Sequence, residues 1–144
     1  MKERVIALGF FDGVHLGHGA LLRRAAEEAA LRGCTPAVFT FDRPPKEVVT
    51  GVPCPLINSP EDRRDLVRRL YRIQDVLMVP FDREMMTTPW DDFIVRILVG
   101  RYHAVHLVAG HDHHFGHRNQ GTPELLAQKL SLIHISEPTR LALI

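Results

Sequence analysis

Two histidines, His15 and His18, stand three positions apart directly after an apolar run, among Gly9, Gly13 and Gly17. That combination suits the binding of phosphate. Glycines let a main chain approach a ligand where a Cβ would obstruct it, and two imidazoles three residues apart can converge on one ligand from the same side of a turn. The run Val5 to Phe11 reads as a buried parallel strand and Leu16 to Arg32 carries helical periodicity, so the histidines fall on the connecting turn and the first helical turn. A helix start contributes unpaired N–H groups and the positive end of the macrodipole, both favourable to an anion. A glycine-rich turn or a single histidine at a helix start commonly serves only as a cap. The His-x-Gly-His spacing at a strand's carboxyl end, where open α/β sheets bind ligands, is what favours function here. Neither Gly-x-x-x-x-Gly-Lys-Ser/Thr nor Gly-x-Gly-x-x-Gly occurs, which excludes the Walker and dinucleotide fingerprints.

A chain of 144 residues, 45% hydrophobic and 24% charged, is expected to form about one domain with an ordinary core. The net charge of +1 gives no broad field for nucleic acid or an acidic membrane, so neither is expected as a partner. Cys34 and Cys54 lack metal spacing, no signal peptide is evident and no apolar stretch approaches the ~20 residues of a membrane span, pointing to the cytoplasm.

Strand and helix signals alternate. Gly33 is a helix C-cap candidate, and Thr35 to Phe41 is a β-branched and aromatic strand. Asp42 to Asn58, with Pro44, Pro45, Pro53 and Pro55, reads as a long irregular connection. Ser59-Pro60-Glu61-Asp62 opens a helix to about Arg72, with serine as N-cap and proline at the first position. Asp75 to Phe81 is a third strand, Thr88-Pro89-Trp90-Asp91 opens a helix ending near Gly100, and Ala104 to Gly110 is a fourth strand. A further helix begins at Thr122-Pro123-Glu124. The repeated Ser/Thr-Pro openings between strands predict βαβ units: a doubly wound parallel α/β sheet with helices on both faces.

Asp42 and Arg43 end the second strand and could face the same crevice as the histidines, with Pro44 and Pro45 stiffening the exit. The fourth strand leads into Gly110-His111-Asp112-His113-His114-Phe115-Gly116-His117, a sequence that resembles a metal-binding cluster. Side chains in such a turn diverge, so no metal ligand is assigned; Asp112 is the polar contact, Phe115 an aromatic wall, and Gly110 and Gly116 points of backbone access. Arginines 63, 64, 68, 69 and 72 read as a mostly solvated helix face, and His103 and His106 as packing or surface groups.

Together, Gly9 to His18, Thr40-Phe41-Asp42, Glu61-Asp62-Arg63, Phe93 to Val99 and Gly110-x-Asp112-x-x-Phe115-Gly116 resemble the amino-terminal FMN adenylyltransferase module of bacterial bifunctional riboflavin kinase/FAD synthetases, over about residues 5 to 129. The resemblance implies a Rossmann-like nucleotidyltransferase using ATP with Mg²⁺ and FMN, giving FAD and pyrophosphate. It makes His15 and His18 catalytic, as stabilisers of charge on the leaving group. It assigns Gly9, Phe10, Phe11, Asp12, Gly13, Gly17, Phe41, Asp42, Gly110, Asp112, Phe115 and Gly116 to nucleotide and flavin. Another His-x-Gly-His nucleotidyltransferase with a different phosphomonoester acceptor, and a non-catalytic nucleotide or flavin binder, are the alternatives.

Two departures from that family stand out. Asp42-Arg43-Pro44-Pro45 replaces the usual Asp-Pro-His-Pro, and the later Ser-Ser-Thr-x-x-Arg motif and the riboflavin kinase domain are absent from these residues. Leu130 to Arg140 resembles the translation of a transposon-based sequencing adapter, so residues 130–144 are expected to be non-native and residues 1–129 to be an incomplete adenylyltransferase domain with slow turnover or none.

Overall fold

The computed structural model describes residues 2–11, 16–53, 55–56, 58–110, 120–122, 124–125, 128 and 140–143, with the main chain alone for residues 16, 17, 46 and 140–143. Strand β1 (Arg4–Leu8) is followed by helix α1 (Leu16–Arg32), β2 (Thr35–Phe41), α2 (Pro45–Thr50), α3 (Pro60–Tyr71) and β3 (Asp75–Val79). Then come α4 (Arg83–Met86), α5 (Trp90–Asp92) running on as a π-helix over Phe93–Arg101, β4 (Ala104–Ala109) and β5 (Arg140–Leu143). The strands form one sheet in the order β3-β2-β1-β4-β5. Among the described residues all four strand pairings are parallel, in registers such as Leu8↔Phe39 and Ala7↔Val108.

Alternation along the strands divides the core in two. Ile6, Leu8, Ala37, Phe39 and Leu107 face a layer made by Phe93, Ile94, Ile97 and Leu98, with Met85 and Trp90 packed against it. Val5, Ala7, Val38 and Val108 face Leu21, Leu22, Ala25 and Ala29 of α1 and Val67 of α3. Both faces are therefore covered, as the doubly wound expectation requires, and burial on both sides is why the strands read as apolar runs. The chain builds outward from β1 through β2 to β3, then crosses to the other side of β1 for β4. This reversal places a topological switch point at the carboxyl ends of β1 and β4, the position where open α/β sheets bind ligands.

Local signals explain most boundaries. Ser59 Oγ accepts from the Asp62 N–H at 3.1 Å with Pro60 as first helical residue, and Gly33 ends α1 at φ 66°. Two expectations change and one strand is new. The 42–58 connection contains α2, started by Pro45 and closed by Gly51 at φ 72°. The helix after Trp90 widens into π geometry, where a Cβ on Gly100 would stand 3.0 Å from the Val95 carbonyl. The 130–144 tail contributes a strand: β5 pairs His106↔Arg140 through Ala109↔Leu143. An open strand edge accepts a short apolar run through main-chain bonds alone.

At the sheet's amino-terminal edge Asp75 accepts from Arg4 Nε at 3.1 Å and meets Lys2 Nζ at 3.0 Å, tying β3 to β1 across β2. Partial burial alone would raise the Asp75 pKa, but hydrogen bonds and charge from Lys2 and Arg4 hold it below the ordinary carboxylate value. A depressed pKa in the native chain contributes stability above the unfolded value of about 4, and that contribution is lost as pH falls through the native value. Asp75→Asn is therefore expected to lower stability at pH 7 and to flatten its decline in acid, as read by urea unfolding at pH 7 and pH 3.

Candidate active site

Because every described strand runs the same way, the carboxyl ends of β1, β2, β3 and β4 lie along one edge, and the exits after them form the candidate site. The β1 exit turns sharply. Phe11 takes φ 61°, a left-handed conformation uncommon for a bulky residue, and its ring folds back over Gly9, where a Cβ would stand 2.7 Å from the ring. Gly9 thus makes room for the Phe11 ring. The Phe11 ring is 1% exposed and meets the half-buried His18 ring edge-on, with centroids 5.1 Å apart. The expectation that Phe11 contacts nucleotide or flavin is corrected for its ring, which is core and braces His18 from beneath. His18 sits in the first turn of α1, at the rim of the packed interior, as the strand-turn-helix reading requires.

The neighbouring β2 exit is tied to β1 by side chains. Thr40 Oγ1 donates to the Phe10 carbonyl at 2.7 Å. Arg63 of α3 is 0% exposed, and its Nη1 lies 3.0 Å from the Phe10 carbonyl, 3.0 Å from Thr40 Oγ1 and 2.7 Å from the Phe41 carbonyl. The guanidinium also lies 4.3 Å from the Phe10 ring centroid, a cation–π distance. Phe41 packs edge-on against Phe39 and Phe81, with centroids 5.5 and 4.8 Å away. Asp42 turns toward β3: its Oδ1 accepts from the Phe81 N–H at 3.0 Å, and its own N–H donates to the Val79 carbonyl. One carboxylate oxygen is therefore engaged in holding the β3 exit in place.

Gly9, Phe10, Phe41, Asp42, His18 and Gly110 accordingly border one sheet edge, with Gly17 in the first turn of α1. His15, Asp12, Gly13, Asp112, Phe115 and Gly116, with the cluster from His111 to His117, lie outside the described residues. Among the described residues no three His, Cys, Asp or Glu side chains form a metal-sized group. Arg63 corrects the solvated-face expectation. The available signal was its spacing: Arg63 is four residues before the buried Val67, so one helical face carries both. Thr40 was legible in the same way, two positions beyond Val38 on the strand face that meets α3.

Residues 1–137 match the sequence profile of FAD synthetase. The chain belongs to that family. Among its relatives, the bifunctional riboflavin kinase/FMN adenylyltransferase of Listeria monocytogenes is 33% identical over 128 residues, covering 88% of this chain and 40% of that protein. The enzymes of the same description from Bacillus subtilis, at 33% identity, and Escherichia coli K12, at 34%, match over 130 residues, 89% of this chain and 40% and 41% of theirs. This FAD synthetase family member thus spans about two fifths of the length of these relatives. A crystal structure described as a macrolide-efflux protein from Streptococcus pneumoniae superposes with a TM-score of 0.82 over 99% of this chain and 45% of that one, at 23% identity. That likeness establishes the fold, a Rossmann-like α/β architecture. Among the described residues no helix is long and apolar enough to cross a membrane.

Thr40→Val preserves shape while removing a hydroxyl that donates to Phe10 and accepts from Arg63. The expected cost is about 1–3 kcal/mol of stability, the range for disrupting a buried network that includes a charged donor. Chemical unfolding of the two proteins measures it.

Proposed function

We propose that this chain is the FMN-adenylylating part of a cytoplasmic FAD synthetase, taking ATP and FMN and releasing FAD and pyrophosphate. The observation carrying this reading is the β1-turn-α1 unit of a family member at the switch point of its sheet, with His18 in the first turn of α1. In the reaction an FMN phosphate oxygen bonds to the α-phosphorus of ATP while the bond from that phosphorus to the bridging oxygen of pyrophosphate breaks. No nucleophile from the chain is needed. The protein's part is to align the two phosphates and offset the charge that collects on the leaving pyrophosphate.

The α1 amino terminus supplies N–H groups and a positive dipole end for those oxygens, and His15 and His18 supply hydrogen bonds or positive charge. Phe10, Phe41 and Asp42 border the acceptor side of the crevice, with Gly110 and the Asp112, Phe115 and Gly116 turn on the β4 side. Mg²⁺ bound through substrate phosphates keeps much of its water and needs no dedicated three-ligand protein cluster. When bound with ATP it would neutralise phosphate charge. The riboflavin kinase activity named for the relatives belongs in this reading to the part of those proteins beyond the match.

We further propose that residues 130–144 are adapter-derived and that the native domain continues differently after Lys129. The coding DNA across codons 130 to 140 decides this: native genomic sequence there removes the proposal.

The enzymatic test is FAD and pyrophosphate formation from ATP, FMN and Mg²⁺, by this chain and by a version extended past Lys129 with a relative's sequence. FAD from the extended version is expected, and use of another phosphomonoester in place of FMN would overturn the acceptor. In that version His15→Ala or His18→Ala should lower turnover by about 10²-fold or more, as for loss of one preorganised transition-state donor. Unchanged rates would remove the role assigned to that histidine.

A further inference from the structure

We propose that Arg63 is a positioning residue for the site, its guanidinium clamping the exits of β1 and β2 in one relative placement. Main-chain pairing between these strands ends at the Gly9 N–H, which donates to the Phe39 carbonyl at 3.3 Å. Two residues later Phe11 takes its left-handed turn, so the Phe10 carbonyl between them stands beyond the ladder. A carbonyl partly withdrawn from water and past the ladder calls for another donor. Thr40 Oγ1 and Arg63 Nη1 provide it, and the same Nη1 reaches the Phe41 carbonyl on the other strand.

Two consequences follow from the chemistry of the group. A planar, permanently charged fork stacked on the Phe10 ring holds its acceptors with little freedom, and a lysine ammonium at the end of a flexible stem would not reproduce that geometry. The clamp also lies between the segment that leads to His15 and His18 and the one that leads to Asp42, so loosening it would separate the two sides of the crevice without touching a ligand group. Its consequence for catalysis rests on the adenylyltransferase reading above; the clamp itself does not.

The test is amide hydrogen exchange on the whole chain, comparing the unaltered protein with Arg63→Lys and Thr40→Val at a temperature where circular dichroism shows all three folded. ATP affinity is titrated on the same samples. Exchange of the Gly9 and Asp42 amides is expected to rise by about tenfold or more in Arg63→Lys while Ile6 and Val38 stay within about twofold, as for local rather than global opening. ATP binding should weaken by about tenfold in that variant although its charge is kept. Unchanged exchange at Gly9 and Asp42, or equal acceleration throughout β1 and β2, would overturn the clamp. Undiminished ATP affinity in a variant with loosened exits would overturn its positioning role. Where the unaltered chain, incomplete after Lys129 in that reading, binds no ATP, the titration is made on the version extended past Lys129; failure there counts against the adenylyltransferase reading, and the exchange pattern then decides the clamp alone. If Arg63→Lys does not fold, the smaller lesion in Thr40→Val must loosen the same two amides for the proposal to stand.

Discussion

A parallel sheet can align strand ends, but its hydrogen-bond ladder stops before the chain reaches the loops that do chemistry. In this FAD synthetase family member the ladder between β1 and β2 ends at Gly9, and from there the two segments are joined through Arg63 and Thr40. Taking a guanidinium wholly out of water is costly, and it is tolerated where its hydrogen bonds are replaced by well-placed acceptors. Here those acceptors include the carbonyls of the two exits, so satisfying the cation and joining the two exits are met by one geometry. Helix α3 owes part of its placement to that arrangement as well as to the burial of Val67.

The β1 exit shows the same economy of contacts. A bulky residue at φ 61° is unfavourable in isolation, and it is sustained because the Phe11 ring fills the space left by the missing Cβ of Gly9 and packs edge-on against His18. Strain in the backbone is offset by burial of an aromatic ring, and His18 gains a fixed floor. At the opposite end of the sheet, Arg4 and Lys2 join β1 to β3 through Asp75. The two edges thus divide the work: ion pairing fastens the amino-terminal side, while the carboxyl-terminal side presents glycines, aromatics and a helix start.

Much of this was legible before any coordinates. Helix α1 spans Leu16–Arg32 and β2 spans Thr35–Phe41 as the periodicity indicated, since a 17-residue helix closed by Gly33 and a β-branched run carry strong local signals. Ser59 caps α3 because side-chain capping is a property of adjacent residues. Helix α2 was hidden by prolines that read as a stiff loop when Pro45 in fact begins a turn of helix. The π geometry over Phe93–Arg101 left no mark in the pattern, because wide and ordinary helical turns both bury residues such as Phe93, Ile94, Ile97 and Leu98 along one face.

The alternation of strands and helices and the family are written in the sequence itself, which also points to a phosphate-suited turn at His15 and His18, because periodicity, capping and motif spacing are local and survive without a partner in space. Only the tertiary structure shows which of the described side chains are buried as supports. Phe11 and Arg63 read from their types as a contact and as a surface charge, and both are buried supports. The physical reason is that burial of a single side chain depends on what packs against it from residues far away in the chain: Arg63 is fixed by carbonyls 53 and 22 positions distant, and no local pattern encodes that distance.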